Sequence, residues 1–225
     1  MTILIGTAGH FYNYMITIPI FPLNLVIFPK SRYPLHIFEE RYKKMITRCM
    51  SESTGFGVLP IIDKELSNIG SYVIISSILK KYENDEMDII VTGVGRFLLR
   101  DIRVHPDGYN IADIDEYNDH PENVNKELLY EMQNKFEKII GKIHFQLEDS
   151  FWNNYFNSTS KSFKLAEKSG LSLKQQQALL EIQKENERIN FLIDHFEKLD
   201  SQISDNSVLK TIIMSDGYIN EQTDL

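Results

Sequence analysis

Residues 19–46 read PIFPLNLVIFPKSRYPLHIFEERYKKMI, a run of prolines and large rings ahead of a charged segment. Four prolines, Pro19, Pro22, Pro29 and Pro34, are interleaved with the large rings of Phe21, Phe28 and Phe38, and a charged segment follows. Proline fixes φ and lacks an N–H, so these positions favour bends and strand ends over the middle of a paired sheet. The rings between them can each bury much of their area beneath such corners. In the charged segment, Tyr42, Met45, Ile46 and Cys49 follow the i, i+3, i+4, i+7 spacing of a helix with one apolar face. Glu39 and Glu40 stand at the positive end of its dipole, where Glu39 is placed to cap the helix start. Arg41 is placed to hold a carboxylate or a carbonyl. The stretch reads as the corners of a small sheet leading into one short helix.

Within this stretch and beyond it, runs rich in β-branched and aromatic residues recur between turn signals: MITIPIF, PLHIF, GFGVLPII, SYVIISSILKKY, MDIIVTGV, RFLLRDIRV and YNIADIDEY. Each predicts a strand. The polar centre of KKYENDEMDIIV predicts a hairpin, and HPDGY at 105–109 supplies a Pro-Asp-Gly turn, so the sheet is expected to be mostly antiparallel. Gly95 lies between two of these runs, where a bulge or a close backbone approach is expected.

After NDHPENVN the period becomes helical. Leu128, Leu129, Met132, Phe136, Ile139, Ile140 and Ile143 trace one apolar stripe, and FWNNYF then leads into SFKLAEKSG, where Gly170 marks a stop. Ser172 and Gln175 have capping-box spacing ahead of LKQQQALLEIQ, and a last helix presents Ile189, Leu192, Ile193, Phe196 and Leu199. The order of strands first and helices afterwards predicts an α+β chain with segregated halves. Residues 14–120 are expected to form the β-rich part and residues 121–203 the helical part. Residues 204–225 form a polar tail in which VLKTIIM reads as a short docked helix or a frayed end.

With 225 residues, 42% of them hydrophobic, the chain can bury a sizeable core. Its 32 acidic against 24 basic residues, a formal charge of -8, disfavour a phosphate backbone as partner unless the basic groups gather on one face. Cys49 is the single cysteine, which forbids an internal disulfide and points to a reducing cytoplasm. The first lysine or arginine is Lys30, so the basic n-region of a secretory signal is not expected, and Pro19 and Pro22 interrupt the apolar run from Ile16 to Phe28. Membrane attachment is not expected. The chemistry-bearing motifs are missing as well: there is no phosphate loop, GVGRFLL lacks a third glycine, the six histidines are scattered, and no G-x-S-x-G is present. No catalytic residue, cofactor or metal is therefore expected.

The opening stretch closely resembles the entry motif of the Lon protease N-terminal domain, the substrate-binding module of that family. The family pattern runs apolar-x-FPL, then an apolar stretch ending in FP, then PL-x-IFE-x-RY. Its counterparts here are Phe21, Pro22, Leu23, Phe28, Pro29, Pro34, Leu35, Ile37, Phe38, Glu39, Arg41 and Tyr42. FGVLPI matches the strand after the short helix, and VTGVGRFLLRDI resembles the G-x-x-RF strand through Gly95, Arg96 and Phe97. The helical segments resemble the family's tail, so the likeness spans about residues 16–200. The chain departs from the pattern at IGSYVIISSI, where Gly70 is retained but Tyr72 replaces a small residue. Neither the ATPase nor the Ser-Lys peptidase module of Lon follows, so the resemblance is to a standalone Lon-domain protein.

The resemblance implies a six-stranded PUA-like pseudo-barrel with one short helix, followed by a C-terminal helical bundle. It also implies a non-enzymatic module that binds polypeptide segments or a protease or chaperone partner. An alternative is an RNA-binding PUA-like protein, using Lys30, Arg32, Arg96, Arg100 and Arg103, and a hydrolase is a third reading that lacks its residues. The segment FPKSRYP, with Phe28, Pro29, Lys30, Arg32, Tyr33 and Pro34, is expected to form a stiff, solvent-facing lip that contacts polypeptide. Phe21, Pro22, Leu23, Phe38, Glu39, Arg41, Tyr42, Gly95, Arg96 and Phe97 are expected to be structural.

Overall fold

The computed structural model describes residues 16–202. Strand β1 (Ile16–Leu23) pairs with the last strand through Ile16–Ile20 and with a middle strand through Ile20–Leu23. Among the described residues, Pro19 and Pro22 therefore each lie where β1 has a strand neighbour on one side only, and a missing N–H there need cost no ladder bond. Pro34 sits likewise within β2 (Arg32–Ile37), whose single strand neighbour among the described residues is β6 (Met87–Val104). These three prolines are edge residues inside strands, whereas Pro29 lies in the turn between β1 and β2, as expected of a corner.

The other strands are β3 (Phe56–Ile62), β4 (Glu65–Leu66), β5 (Ile69–Lys81), β6 (Met87–Val104) and β7 (Asn110–Glu116). They run in the order β1-β7-β6-β5-β3-β4. All neighbours are antiparallel except β1 and β3, whose parallel pairing closes a ring through β7, β6 and β5. β2 is added to β6 outside that ring. The described residues thus hold seven strands against the six expected, the extra one being the two-residue β4. MDIIVTGV and RFLLRDIRV are one continuous 18-residue strand. Tyr72 faces Gly95 while Val73 faces Gly93, so the bulge expected near Gly95 is present with Val94 as its extra residue.

Helix α1 (Glu40–Glu52) buries the predicted stripe of Tyr42, Met45, Ile46 and Cys49 against Phe21, Phe56, Ile89 and Val91. Met45 and Ile46 are fully covered, each contributing about 1.5–3 kcal/mol by the usual value of side-chain burial. Phe21 stacks on Tyr42 with ring centroids 4.0 Å apart. Glu39 holds the N-cap position but makes no capping bond with its side chain, contrary to expectation. Its carboxylate instead accepts from Arg41 Nε at 2.9 Å, because the guanidinium two residues on is a stronger donor than the helix amides.

The helical half contains α2 (Lys126–Lys142), α3 (Asp149–Asn157), α4 (Lys161–Ala166), α5 (Leu173–Glu181) and α6 (Glu185–Gln202). Asn125 caps α2, and the capping box of Ser172 and Gln175 starts α5 as its spacing predicts. Gly170, at φ +65, is the left-handed residue of the turn after α4 and does not cap that helix directly. Met132, Phe136, Ile139, Leu179, Leu192 and Phe196 form the centre of a core that also takes in Val26, Phe28 and Ile69 from the strand half. The VLKTIIM segment lies outside the described residues.

Candidate functional site

The loop between β1 and β2 is where the two halves meet. Leu25, Val26, Ile27 and Phe28 are all buried, and the Phe28 ring stacks on Phe163 of α4 at 5.3 Å. Immediately after it the chain turns back: Ser31 N donates to Phe28 O at 3.1 Å, and Lys30 takes a left-handed φ of 69°. The turn is fastened to β6 by Lys30 N donating to Gly93 O at 2.8 Å and by Gly93 N donating to Ser31 O at 3.0 Å. A Cβ on Gly93 would meet Phe28 O at 2.4 Å, so glycine is required where loop and strand cross. Gly95, the glycine expected to make a close approach, has nothing within 4 Å of its Cβ position.

The loop is also tied to the helices. Lys30 Nζ donates to Thr159 Oγ1 at 2.8 Å, and Ser31 Oγ donates to Glu167 Oε1 at 2.7 Å. Glu167 Oε2 is held in turn by Lys164 Nζ at 2.5 Å. Two adjoining clefts open along this seam and share Arg32 and Glu167. One has Val26, Ile27 and Phe28 as an apolar wall with Tyr33, Lys168 and Gln176 around it. The other is lined by Pro29, Lys30, Lys164 and the polar end of α3. Burial lowers the Lys161 ammonium below its ordinary range, and that group donates to the carbonyls of Tyr155, Phe156 and Ser158, closing the end of α3.

The six residues of the expected lip divide. Lys30, Arg32 and Pro34 are exposed, Pro29 and Tyr33 are half-buried, and Phe28, only 4% exposed, is chiefly a packing anchor that meets solvent where it lines the first cleft. Its ring is drawn inward because Phe163 and the helical core offer it apolar cover. Among the motif residues expected to be structural, Phe21, Tyr42, Arg96 and Phe97 are buried, while Pro22, Leu23, Glu39 and Gly95 are half-buried. Arg41 is exposed, with its guanidinium 4.6 Å from the Tyr42 ring centre. Phe38 departs from its expected burial beneath a corner. It is 58% exposed and stacks on His36, since it follows the end of β2 beyond the reach of the α1 core.

Arg96 is not an available basic group. Its guanidinium donates to Ile182 O at 2.9 Å and, by short contacts, to Leu180 O and Asp119. Arg188 of α6, fully buried, binds both oxygens of Asp119 at 2.8 and 2.6 Å and Glu185 Oε2 at 2.7 Å. These four charged groups form a latch between β6, the segment after β7 and α6. Arg100 and Arg103 are likewise engaged, with Asp115 and Asp113. Neither Glu167 nor the latch was identified from sequence. The available signal was Glu185 and Arg188 lying at i and i+3 on the same stripe as Ile189 and Leu192, where solvated charges do not belong. Among the described residues no three His, Cys, Asp or Glu are grouped to hold a metal, and no helix is long and apolar enough to cross a membrane.

Residues 17–198 match the family described as the ATP-dependent protease La (LON) substrate-binding domain. The chain belongs to that family. Among solved structures, it is similar to a Lon N-terminal domain protein from Xanthomonas campestris at 23% identity and a TM-score of 0.63, covering 80% of this chain and 98% of that one. It is also similar to the N-terminal domain of the Mycobacterium avium complex Lon protease, at 16% identity and a TM-score of 0.60 over the same shares. At these identities the two structures speak for the fold alone. That fold joins a large, mostly antiparallel sheet to a set of helices, and the LON-domain seam between them carries the clefts around Arg32.

Proposed function

We propose that this chain is a non-catalytic polypeptide-binding module, acting in the cytoplasm, whose contact surface is the exposed part of the Lys30–Pro34 segment together with the clefts against α3 and α4. The membership of residues 17–198 in a substrate-binding domain family carries this reading. Geometry supports it at the loop: a turn fastened by two backbone bonds to β6 and by two side chains to the helical half loses little entropy on binding. Tyr33 supplies a ring with a polar end beside the charge of Arg32. We read the closed ring of strands as a PUA-like pseudo-barrel, with residues 14–120 and 121–203 as its two subdomains. The RNA-binding alternative is weakened by the engagement of Arg96, Arg100 and Arg103 with carboxylates of the chain itself.

Titration of a labelled, permanently unfolded test protein against the chain and its Arg32→Ser/Tyr33→Ala variant tests the reading. The expected result is a loss of affinity of about tenfold or more with a melting temperature within about 3 °C of the parent. Equal affinity in parent and variant, with equal melting temperatures, removes this loop from the contact surface.

A further inference from the structure

The chain has seven arginines. Six of them are paired with carboxylates of the chain itself: Arg41 with Glu39, Arg48 with Glu52, Arg96 with Asp119, Arg100 with Asp115, Arg103 with Asp113, and Arg188 with Asp119 and Glu185. Arg32 differs from all of these: its side chain has no hydrogen-bond or ion-pair partner among the described residues, although acidic residues outnumber basic ones 32 to 24. It opens β2 and lines both clefts of the seam. The other ionisable groups lining those clefts, apart from Tyr33, are Lys30, Lys164, Lys168 and Glu167. Glu167 forms no ion pair with Arg32: its carboxylate pairs with Lys164 and accepts from Ser31 Oγ. A molecule of net charge -8 therefore keeps a locally cationic seam, with an exposed planar guanidinium that has no partner among the described residues at its centre.

Deepening the polypeptide-binding reading, on which it rests, we propose that this seam selects segments carrying a carboxylate beside an apolar side chain, with Arg32 as the carboxylate's anchor. A guanidinium presents paired N–H groups in a fixed fork that matches a carboxylate in bidentate fashion. The wall of Val26, Ile27 and Phe28 supplies the place for the adjacent apolar group. The cleft beside that wall holds about 140 Å³, below the roughly 300–1,000 Å³ of pockets that take a whole drug-sized ligand, so its size suits one side chain of a longer chain. The backbone that carries the guanidinium is already set by the bonds to Gly93, so the anchor is displayed without a folding cost. The carboxylate can come from an acidic side chain or from the end of a polypeptide, and the two sources are separable by experiment.

The test uses three fluorescein-labelled peptides of one apolar sequence, read by anisotropy with the full chain. One has an internal Asp and an amidated end, one has Asn in its place and an amidated end, and one has that Asn and a free terminal carboxylate. The expected result is that at least one carboxylate peptide binds about tenfold more tightly than the neutral one, the worth of a charge-assisted hydrogen bond. The preference should shrink with added salt. Arg32→Gln should reduce all three to the neutral affinity without moving the melting temperature, and Arg32→Lys should keep part of the preference. Equal affinities for the three peptides, or an acidic preference that survives Arg32→Gln, overturn the inference. If an unfolded protein still competes in that case, the polypeptide-binding reading stands without it. Failure of every peptide and of the unfolded protein to bind overturns both. Displacement of the peptides by a short single-stranded RNA at equal or lower concentration, lost in Arg32→Gln, overturns the carboxylate as the ligand class.

Discussion

At Gly93 the space for a β-carbon is already taken by the carbonyl oxygen of Phe28, 2.4 Å away. That oxygen belongs to backbone held at both ends of the turn, so it has no cheap way to move. Gly93→Ala is therefore expected to cost about 1–3 kcal/mol, in line with overpacked sites, and to lower the melting temperature by several degrees. Gly95→Val is expected to leave the melt unchanged or slightly raised, since nothing lies within 4 Å of its Cβ position and a β-branched residue suits a strand. Thermal denaturation of the two variants side by side checks the pair, and a melt lowered only in Gly95→Val would refute it. Reading the sequence draws attention to Gly95 because it falls between two apolar runs. What makes Gly93 the essential one is a loop more than sixty positions away in sequence, and no local pattern carries that information. The same limit applies to Phe28 and Phe38, which sit in similar text and differ only in whether a second element covers them.

The elements themselves were more legible than their joints. The stripes of α1, α2 and α6 and the capping box of α5 follow from periodicity, because a helix buries the same face along its whole length. Two strand runs merged into β6 because a single bulged residue, Val94, looks like a break in the pattern while the pairing continues past it. At the start of α6, however, the buried stripe carries charge. Arg188 is enclosed by Asp119, Glu185, Ser162 and the carbonyl of Ile182, and its guanidinium lies 4.2 Å from the Phe163 ring centre. Removing one partner of such a group leaves the others buried without compensation. Arg188→Met is thus expected to destabilise the chain by about 3–5 kcal/mol, and adding Glu185→Gln is expected to recover part of that loss. Urea denaturation of the single and double variants measures the coupling. Additive effects would show that Glu185 and Arg188 are stabilised independently and that the latch is not one unit.

For the molecule as a whole, the order of strands followed by helices is readable from sequence, but closure of the ring is not. The parallel pairing of β1 with β3 joins Ile20–Leu23 to Gly57–Pro60, across the whole of α1, and leaves no local signature in either segment. The joint between the halves is equally non-local: Val26, Phe28 and Ile69 enter the helical core from the strand half, and Arg96 reaches the end of α5 from β6 and shares Asp119 with Arg188 of α6. With core and latch both shared, the strands and helices are expected to unfold together. The chain offers one native probe in each half. Trp152, its single tryptophan, lies in α3, and Cys49, its single cysteine, lies on the buried face of α1, where burial pushes the thiol pKa up to about 11. Tryptophan fluorescence and thiol labelling, followed through the same urea series, should give midpoints that coincide. Phe28→Ala, which removes a ring stacked on Phe163, should shift both midpoints down together by an amount equivalent to about 3–5 kcal/mol. If labelling of Cys49 stays at its parental midpoint while Trp152 reports early loss of the helices, the halves are independently stable. The seam around Arg32 would then be a hinge and not a fixed cleft.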